Sequence, residues 1–179
     1  MIFATVGTQL PFDRLLGALD VWASRNQGVE ITAQSGVSST DFKNFTPTPF
    51  LSQPQFEGAL ASARVVVAHA GMGTILSAAE LGKPVVIMPR RAELGEHRND
   101  HQLATAAEMA RLENVTVAQD AEELAAGIDR ALAAPALSAA LSATAPAELI
   151  DAVSRFIAGA PTAAPQARPV RAARPQGAA

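Results

Sequence analysis

The sequence predicts an α/β fold, a parallel sheet with flanking helices. Three observations lead there. Short apolar runs at residues 2–6, 65–68 and 85–88 read as strands buried on both faces. They alternate with stretches whose apolar residues recur at helical spacing. The run at 65–68 ends in His69, and Gly71 and Gly73 follow before a helix-like stretch at 74–81. Strand, glycine turn, helix and strand in that order make a parallel β-α-β unit.

From the N-terminus, residues 2–6 form the first strand, and Gly7, Thr8, Gln9, Leu10 and Pro11 a loop. Residues 12–26 carry Phe12, Leu15, Leu16, Leu19 and Trp22 at helical spacing. A second strand covers 29–34. Residues 35–44 are polar loop, and the prolines of Thr46-Pro47-Thr48-Pro49 forbid a long regular element. Ser52 and Gln55 have the spacing of a capping box that opens a helix to Ala63. After the central unit, residues 99–112 read as helix and 115–117 as a short strand. Asp120 with Glu123 caps a helix to about Ala133, and residues 146–157 form the last helix.

Residues 159–179 are Ala, Pro, Arg, Gln and Gly with almost nothing large and apolar. Such a stretch buries too little surface to offset the entropy of ordering. The expected division is a domain at 1–158 and a disordered tail at 159–179. Arg168, Arg171 and Arg174 make the tail positive, which fits a solvated tail or a weak attraction to anionic headgroups.

The 179 residues suit one domain plus that tail, and a hydrophobic fraction of 49% suffices for a core. A net charge of -3 gives no reason to expect a nucleic-acid partner. Absence of cysteine excludes disulfides and thiolate metal sites. No apolar run reaches the roughly 18 residues of a membrane span, and residues 2–6 follow Met1 with no basic segment of a signal peptide. A cytoplasmic chain is expected, with any membrane contact made through a partner.

Chemistry concentrates in residues 65–102. In His69-Ala70-Gly71-Met72-Gly73-Thr74 the glycines let the backbone approach a ligand, and a helix N-terminus there attracts anions. Glu80, on the same helix, is placed for ribose hydroxyls. The loop at 89–102 carries Arg90, Arg91, Glu93, Glu96, His97, Arg98, Asn99, Asp100, His101 and Gln102, a set that suits a ligand rich in hydroxyls. His69 and His101 lack the spacing of paired metal ligands, so no metal is expected. The loop after the first strand lacks G-x-G-x-x-G, which argues against a nicotinamide or flavin enzyme. A nucleophile elbow and a Walker loop are also absent.

Two stretches, IFATVGTQLPFDRLL and HAGMGTILSAAELGKPVVIMPRR followed by GEHRNDHQ, resemble the C-terminal, donor-binding domain of glycosyltransferase family 28. The likeness covers roughly Met1 to Ile157. It is nearest to stand-alone bacterial polysaccharide-biosynthesis transferases, and extends to the catalytic subunit of the two-subunit dolichol-pathway N-acetylglucosaminyltransferase. The resemblance implies a Rossmann-like sheet, a single C-terminal-type half of a GT-B enzyme. It implies that Gly71, Met72, Gly73 and Thr74 hold a nucleotide diphosphate, bordered by Gly7 and Thr8, with His69 on the cleft floor as a weak catalytic candidate. Glu80 would bind the uridine ribose, and Asp100, His101 and Gln102 the donor sugar. The reaction implied is inverting transfer from a UDP-sugar to a lipid-linked glycan acceptor in exopolysaccharide or capsule assembly, without metal or other cofactor.

A GT-B enzyme has two halves, and Met1 here already begins the donor half. The expectation is a membrane-anchored partner subunit that supplies the acceptor site, the general base and attachment at the inner face of the plasma membrane. The helix at 146–157 either docks on that partner or packs on its own sheet. Arg90 and Arg91 suggest a glucuronate donor through carboxylate pairing, or else serve as surface or partner contacts. Two other readings compete. One is a non-catalytic nucleotide-sugar-binding regulatory module. The other is a UDP-sugar epimerase, disfavoured because it needs two complete domains.

Overall fold

The computed structural model describes residues 1–135 and 147–157. Five parallel strands form one sheet in the order β2-β1-β3-β4-β5. They are β1 Ile2–Thr5, β2 Ile31–Gln34, β3 Val65–His69, β4 Val85–Met88 and β5 Val115–Val117. The helices that follow them are α1 Asp13–Arg25, α2 Gln53–Ser62, α3 Met72–Glu80, α4 His101–Met109 and α5 Ala121–Ala133. The chain steps from β1 to β2 on one side and then back past β1 to β3. At such a reversal the loops leaving the two adjacent strands diverge, and a crevice opens outside their carboxyl ends.

Strand side chains alternate between faces, so one apolar run feeds two cores. Ile2, Ala4, Val65 and Val67 pack with Leu15, Leu19 and Trp22 of α1 and with Leu124 and Ile128 of α5. Phe3, Val66, Ala68 and Ile87 pack with Leu60 of α2, Ile75 and Ala78 of α3 and Ala106 of α4. Both faces of the sheet are covered, which is why its strands are nearly uniformly apolar rather than alternating.

The expected helix signals operate with local differences. Gln55 Oε1 accepts from the Ser52 backbone N–H at 2.9 Å and opens α2. Asp120 Oδ1 accepts from the Glu123 N–H at 2.9 Å and opens α5, while the Glu123 carboxylate reaches the Gln119 N–H. The helix expected at 99–112 is shorter, because Asp100 is its N-cap and its last regular residue is Met109. Thr48 makes a single parallel bridge to Gln34 at the sheet edge, confined to one pair by the prolines on either side. The polar loop after β4 contains a 3-10 turn at Ala92–Leu94, closed by Gly95 at φ 70°.

Met1–Ser142 form one compact unit, and Ala143–Ala179 are a second. Within the second, α6 spans Ala147–Ile157 and exposes Ile150, Val153 and Ile157 along one stripe. The tail expected at 159–179 lies outside the described residues.

The indole of Trp22, 1% exposed, donates from Nε1 to Asp129 Oδ1 at 2.8 Å and joins α1 to α5. Asp129→Ala strands that buried donor and is expected to cost about 1–2 kcal/mol in urea unfolding. Asp129→Asn keeps an acceptor and should cost less. The single tryptophan makes its fluorescence a direct readout. Equal stability of Asp129→Ala and wild type would contradict the role of this bond.

Candidate functional site

A cavity of about 1010 Å³ opens at the carboxyl ends of the strands, where the order reverses between β1 and β3. That size lies at the upper end for small-molecule sites. Gly7, Thr8 and Gln9 from the loop after β1 form one wall. Thr74, Ser77 and Glu80 form the next, because a three-residue spacing places them along one face of α3. His97, His101, Gln102 and Thr105 come from the β4–α4 region, and Phe56, Glu57 and Leu60 from α2.

His69 ends β3 and sits between two glycine turns. A Cβ built on Gly7 would lie 2.9 Å from His69 Cε1, and Gly7 also has φ 77°. A Cβ on Gly71 would fall onto His69 Nε2. Both glycines are therefore fixed by the imidazole they face. Gly73 differs: it is exposed, does not line the cavity, and a Cβ there meets nothing. The Gly71 N–H turns back to the His69 carbonyl at 2.7 Å, and no side chain caps α3. The N–H groups of Met72, Gly73 and Thr74 are thus left without intrahelical partners, at the positive end of the helix dipole. Met72 itself is exposed at the rim.

Arg90 lines the cavity, but its guanidinium Nη groups are engaged by the protein's own backbone. It is 1% exposed, and its guanidinium donates to the carbonyls of Val6 at 2.7 Å, Pro11 at 2.8 Å and Glu96 at 3.0 Å. It lies 4.6 Å over the Phe12 ring. Arg91 points away from the cavity, toward Glu93 at 3.6 Å and Gln119 at 3.4 Å. Asp100 is likewise engaged by the protein's own backbone. It does not line the cavity; its Oδ1 accepts the Ala92 N–H at 2.8 Å and braces the loop. These polar residues serve the loop's own backbone, which needs partners where it turns away from the sheet.

Gln102 is 4% exposed, and its Oε1 accepts from the Arg90 backbone N–H at 3.1 Å. That bond fixes the amide orientation, since an N–H needs the oxygen. Among the described residues its Nε2 has no protein partner, and it borders the cavity as a donor.

All three histidines of the chain line this cavity. Burial, and next the Arg90 guanidinium, push His69 down to about 4. The Thr5 carbonyl opposes the shift without reaching full hydrogen-bond geometry, and Nδ1 has no partner among the described residues. His97 is also lowered, by burial first and then by His101 and Arg90. The His97 and His101 rings meet edge to face at 4.5 Å. Near neutral pH His69 is therefore an uncharged imidazole, able to donate or accept but poor as a base. Among the described residues no group of three or more His, Asp or Glu is placed to hold a metal ion.

Sequence reasoning missed the α2 wall and Ser77. Gln53, Phe56, Glu57 and Leu60 follow a helical i, i+3, i+4, i+7 spacing, and Ser77 stands midway between Thr74 and Glu80. That periodicity was available as a signal, but only the sheet order shows that α2 borders the crevice.

Two outcomes are expected here. Gly71→Ala should lower stability by about 1–3 kcal/mol through its clash with His69, while Gly73→Ala should cost nothing, both read by thermal unfolding. Loss of stability in neither would contradict the imidazole packing. His69 binds its proton at about 4 when folded and near 6.5 when unfolded, so unfolding takes up a proton between those values. Stability conferred by the neutral ring is then lost as pH falls from about 6.5 through 4, by roughly 3 kcal/mol at most. His69→Gln should flatten that part of the urea-unfolding pH profile.

The profile of the glycosyltransferase family 28 C-terminal domain matches residues 1–156. No curated protein matches the chain. Among solved structures, the glycotransferase of kitacinnamycin is 20% identical, with a TM-score of 0.57 over 75% of this chain and 35% of its own. ALG13 is 16% identical, with a TM-score of 0.55 over 87% of this chain and 93% of its own. Os79 from O. sativa, solved with U2F and trichothecene, is 20% identical, with a TM-score of 0.50 over 72% of this chain and 32% of its own. The chain spans about a third of the length of the first and third of these. At such identities the likeness establishes a shared fold, the half of a GT-B enzyme. The profile match over nearly all of the described residues adds the family: this chain belongs to glycosyltransferase family 28 through its C-terminal domain.

Proposed function

We propose that the chain is the donor-binding catalytic part of an inverting UDP-sugar glycosyltransferase. The observation that carries this reading is the uncapped N-terminus of α3, opening on the cavity beside an uncharged His69. Free N–H groups at a helix N-terminus suit a diphosphate. Glu80, two turns further along α3, lines the cavity with Gln102 and His101, which supports assigning Glu80 to ribose hydroxyls and the other two to hydroxyls of the sugar. An acceptor hydroxyl attacks the anomeric carbon from the side opposite the phosphate, and the bond to the β-phosphate oxygen breaks. Charge developing on the leaving UDP is stabilised by the α3 dipole and N–H groups, with no metal in this scheme.

Burial and Arg90 hold His69 down near 4, which makes it a weak base at neutral pH, and in this reading the acceptor's proton goes to a base outside the chain. The proposal therefore includes a membrane-anchored partner subunit that brings the base and a lipid-linked glycan acceptor to the inner face of the membrane, in exopolysaccharide or capsule assembly. No described helix is long and apolar enough to cross a membrane. The ALG13 chain, matched over 93% of its length, has a similar extent. A glucuronate donor loses its physical support, since Arg90 and Arg91 are engaged elsewhere. The weak basicity of His69 also favours the second reading, a nucleotide-sugar-binding module without turnover.

Calorimetric titration tests the site. UDP and UDP-hexoses should bind the chain, and Glu80→Ala should weaken UDP about tenfold by removing hydrogen bonds to a charged acceptor. Gln102→Ala should weaken the UDP-sugar while sparing UDP. Binding that ignores Glu80→Ala would contradict the placement of ribose. Sugar transfer to a lipid-linked acceptor with a partner present would separate the enzyme from the binding module.

A further inference from the structure

Arg90 is a buried cation without a carboxylate of its own. Buried charges in proteins are normally paired. The three contacts of its guanidinium are neutral backbone carbonyls, of Val6, Pro11 and Glu96. The nearest carboxylate, Glu96, is engaged elsewhere. Arg14 grips it with both ends, Nε to Oε1 at 2.7 Å and Nη2 to Oε2 at 2.9 Å, and the Arg91 N–H adds 2.9 Å to Oε2. Arg14, Arg90 and Glu96 thus sum to two cations against one anion, and one positive charge remains below the cavity. Arg90 stays charged at neutral pH, since burial lowers it only to about 10 and Glu96 opposes that shift. Arg90 lines the cavity with His69 and His97, and after burial its charge is among the causes that lower both imidazoles.

We infer that Arg90, which lines the cavity, is a specificity-determining residue that favours anionic ligands through the field of its buried, only partly compensated charge. This rests on the reading of the cavity as a nucleoside-diphosphate site. The carbonyl contacts hold the guanidinium rigidly, so the field needs no reorganisation when the anion arrives. Low-dielectric surroundings extend its reach compared with a surface arginine, which salt would screen.

The inference separates charge from shape by comparing UDP with uridine, which lacks the phosphates. Dissociation constants for both ligands are measured on wild type, Arg90→Met and Arg90→Lys. Wild type should prefer UDP. Arg90→Met should shrink that preference about tenfold, while Arg90→Lys, which keeps the charge but not the fork, retains most of it. Equal weakening of UDP and uridine in Arg90→Met would overturn the inference and leave Arg90 a loop brace. Loss of the preference in Arg90→Lys would overturn it too, and that variant decides alone if Arg90→Met gives no thermal unfolding transition. A folded wild type that binds neither ligand would overturn the nucleotide reading itself, and the inference with it.

Discussion

Arg90 stands at the carboxyl end of β4 with its guanidinium turned under the cavity, where it clasps carbonyls from two loops that otherwise share no secondary structure. Val6 and Pro11 belong to the loop after β1, and Glu96 to the loop after β4. Arg14 doubles the tie, since it pairs with Glu96 and also donates to the Pro89 carbonyl at 2.8 Å. Each buried carbonyl left without a donor would cost roughly 1–3 kcal/mol. The relative position of the two loops is therefore set by hydrogen-bond satisfaction more than by apolar packing.

The remainder of the cavity is built on that tie. Gln102 is oriented by the Arg90 backbone N–H, so its donor end borders the cavity. The loop after β1, held by Arg90, brings Gly7 against the His69 ring, and Gly71 closes on the ring from the other side. Burial first, and then the neighbouring guanidinium, disfavours a charged imidazole in this position, and the neutral form wins. The outcome is a crevice with a helix N-terminus, a fixed cation and few carboxylates at its deep end, and Glu57 and Glu80 farther out on α2 and α3. Such a gradient suits a ligand that is anionic at one end and hydroxyl-bearing at the other.

Much of the fold was legible in the sequence because it depends on local pattern. Val85–Met88 is an apolar run bounded by Pro84 and Pro89, and Asp120 with Glu123 caps α5 by a mechanism contained in four residues. The glycine turn after β3 was legible for the same reason. The fate of the charged loop after β4 was not. Arg90 and Asp100 read as ligand contacts by composition, yet both are drawn into bracing the backbone, because a turning loop leaves N–H and C=O groups that nearby side chains must satisfy. The α2 wall was equally hidden, since its place beside the crevice follows from β2 lying on the far side of β1. Strand order is a long-range property, and no window of sequence encodes it.

The central claim is that a nucleotide diphosphate lies at the β1–β3 reversal with its phosphates on the N-terminus of α3. Amide chemical-shift mapping of the chain during titration with UDP tests it most directly. The account predicts saturable shifts centred on Gly7, Gly71, Met72 and Thr74, with smaller ones at Glu80 and Gln102. Shifts centred instead on the hollow at the other end of the strands, near Arg64 and Lys83, would contradict it, as would a spectrum that UDP leaves unchanged.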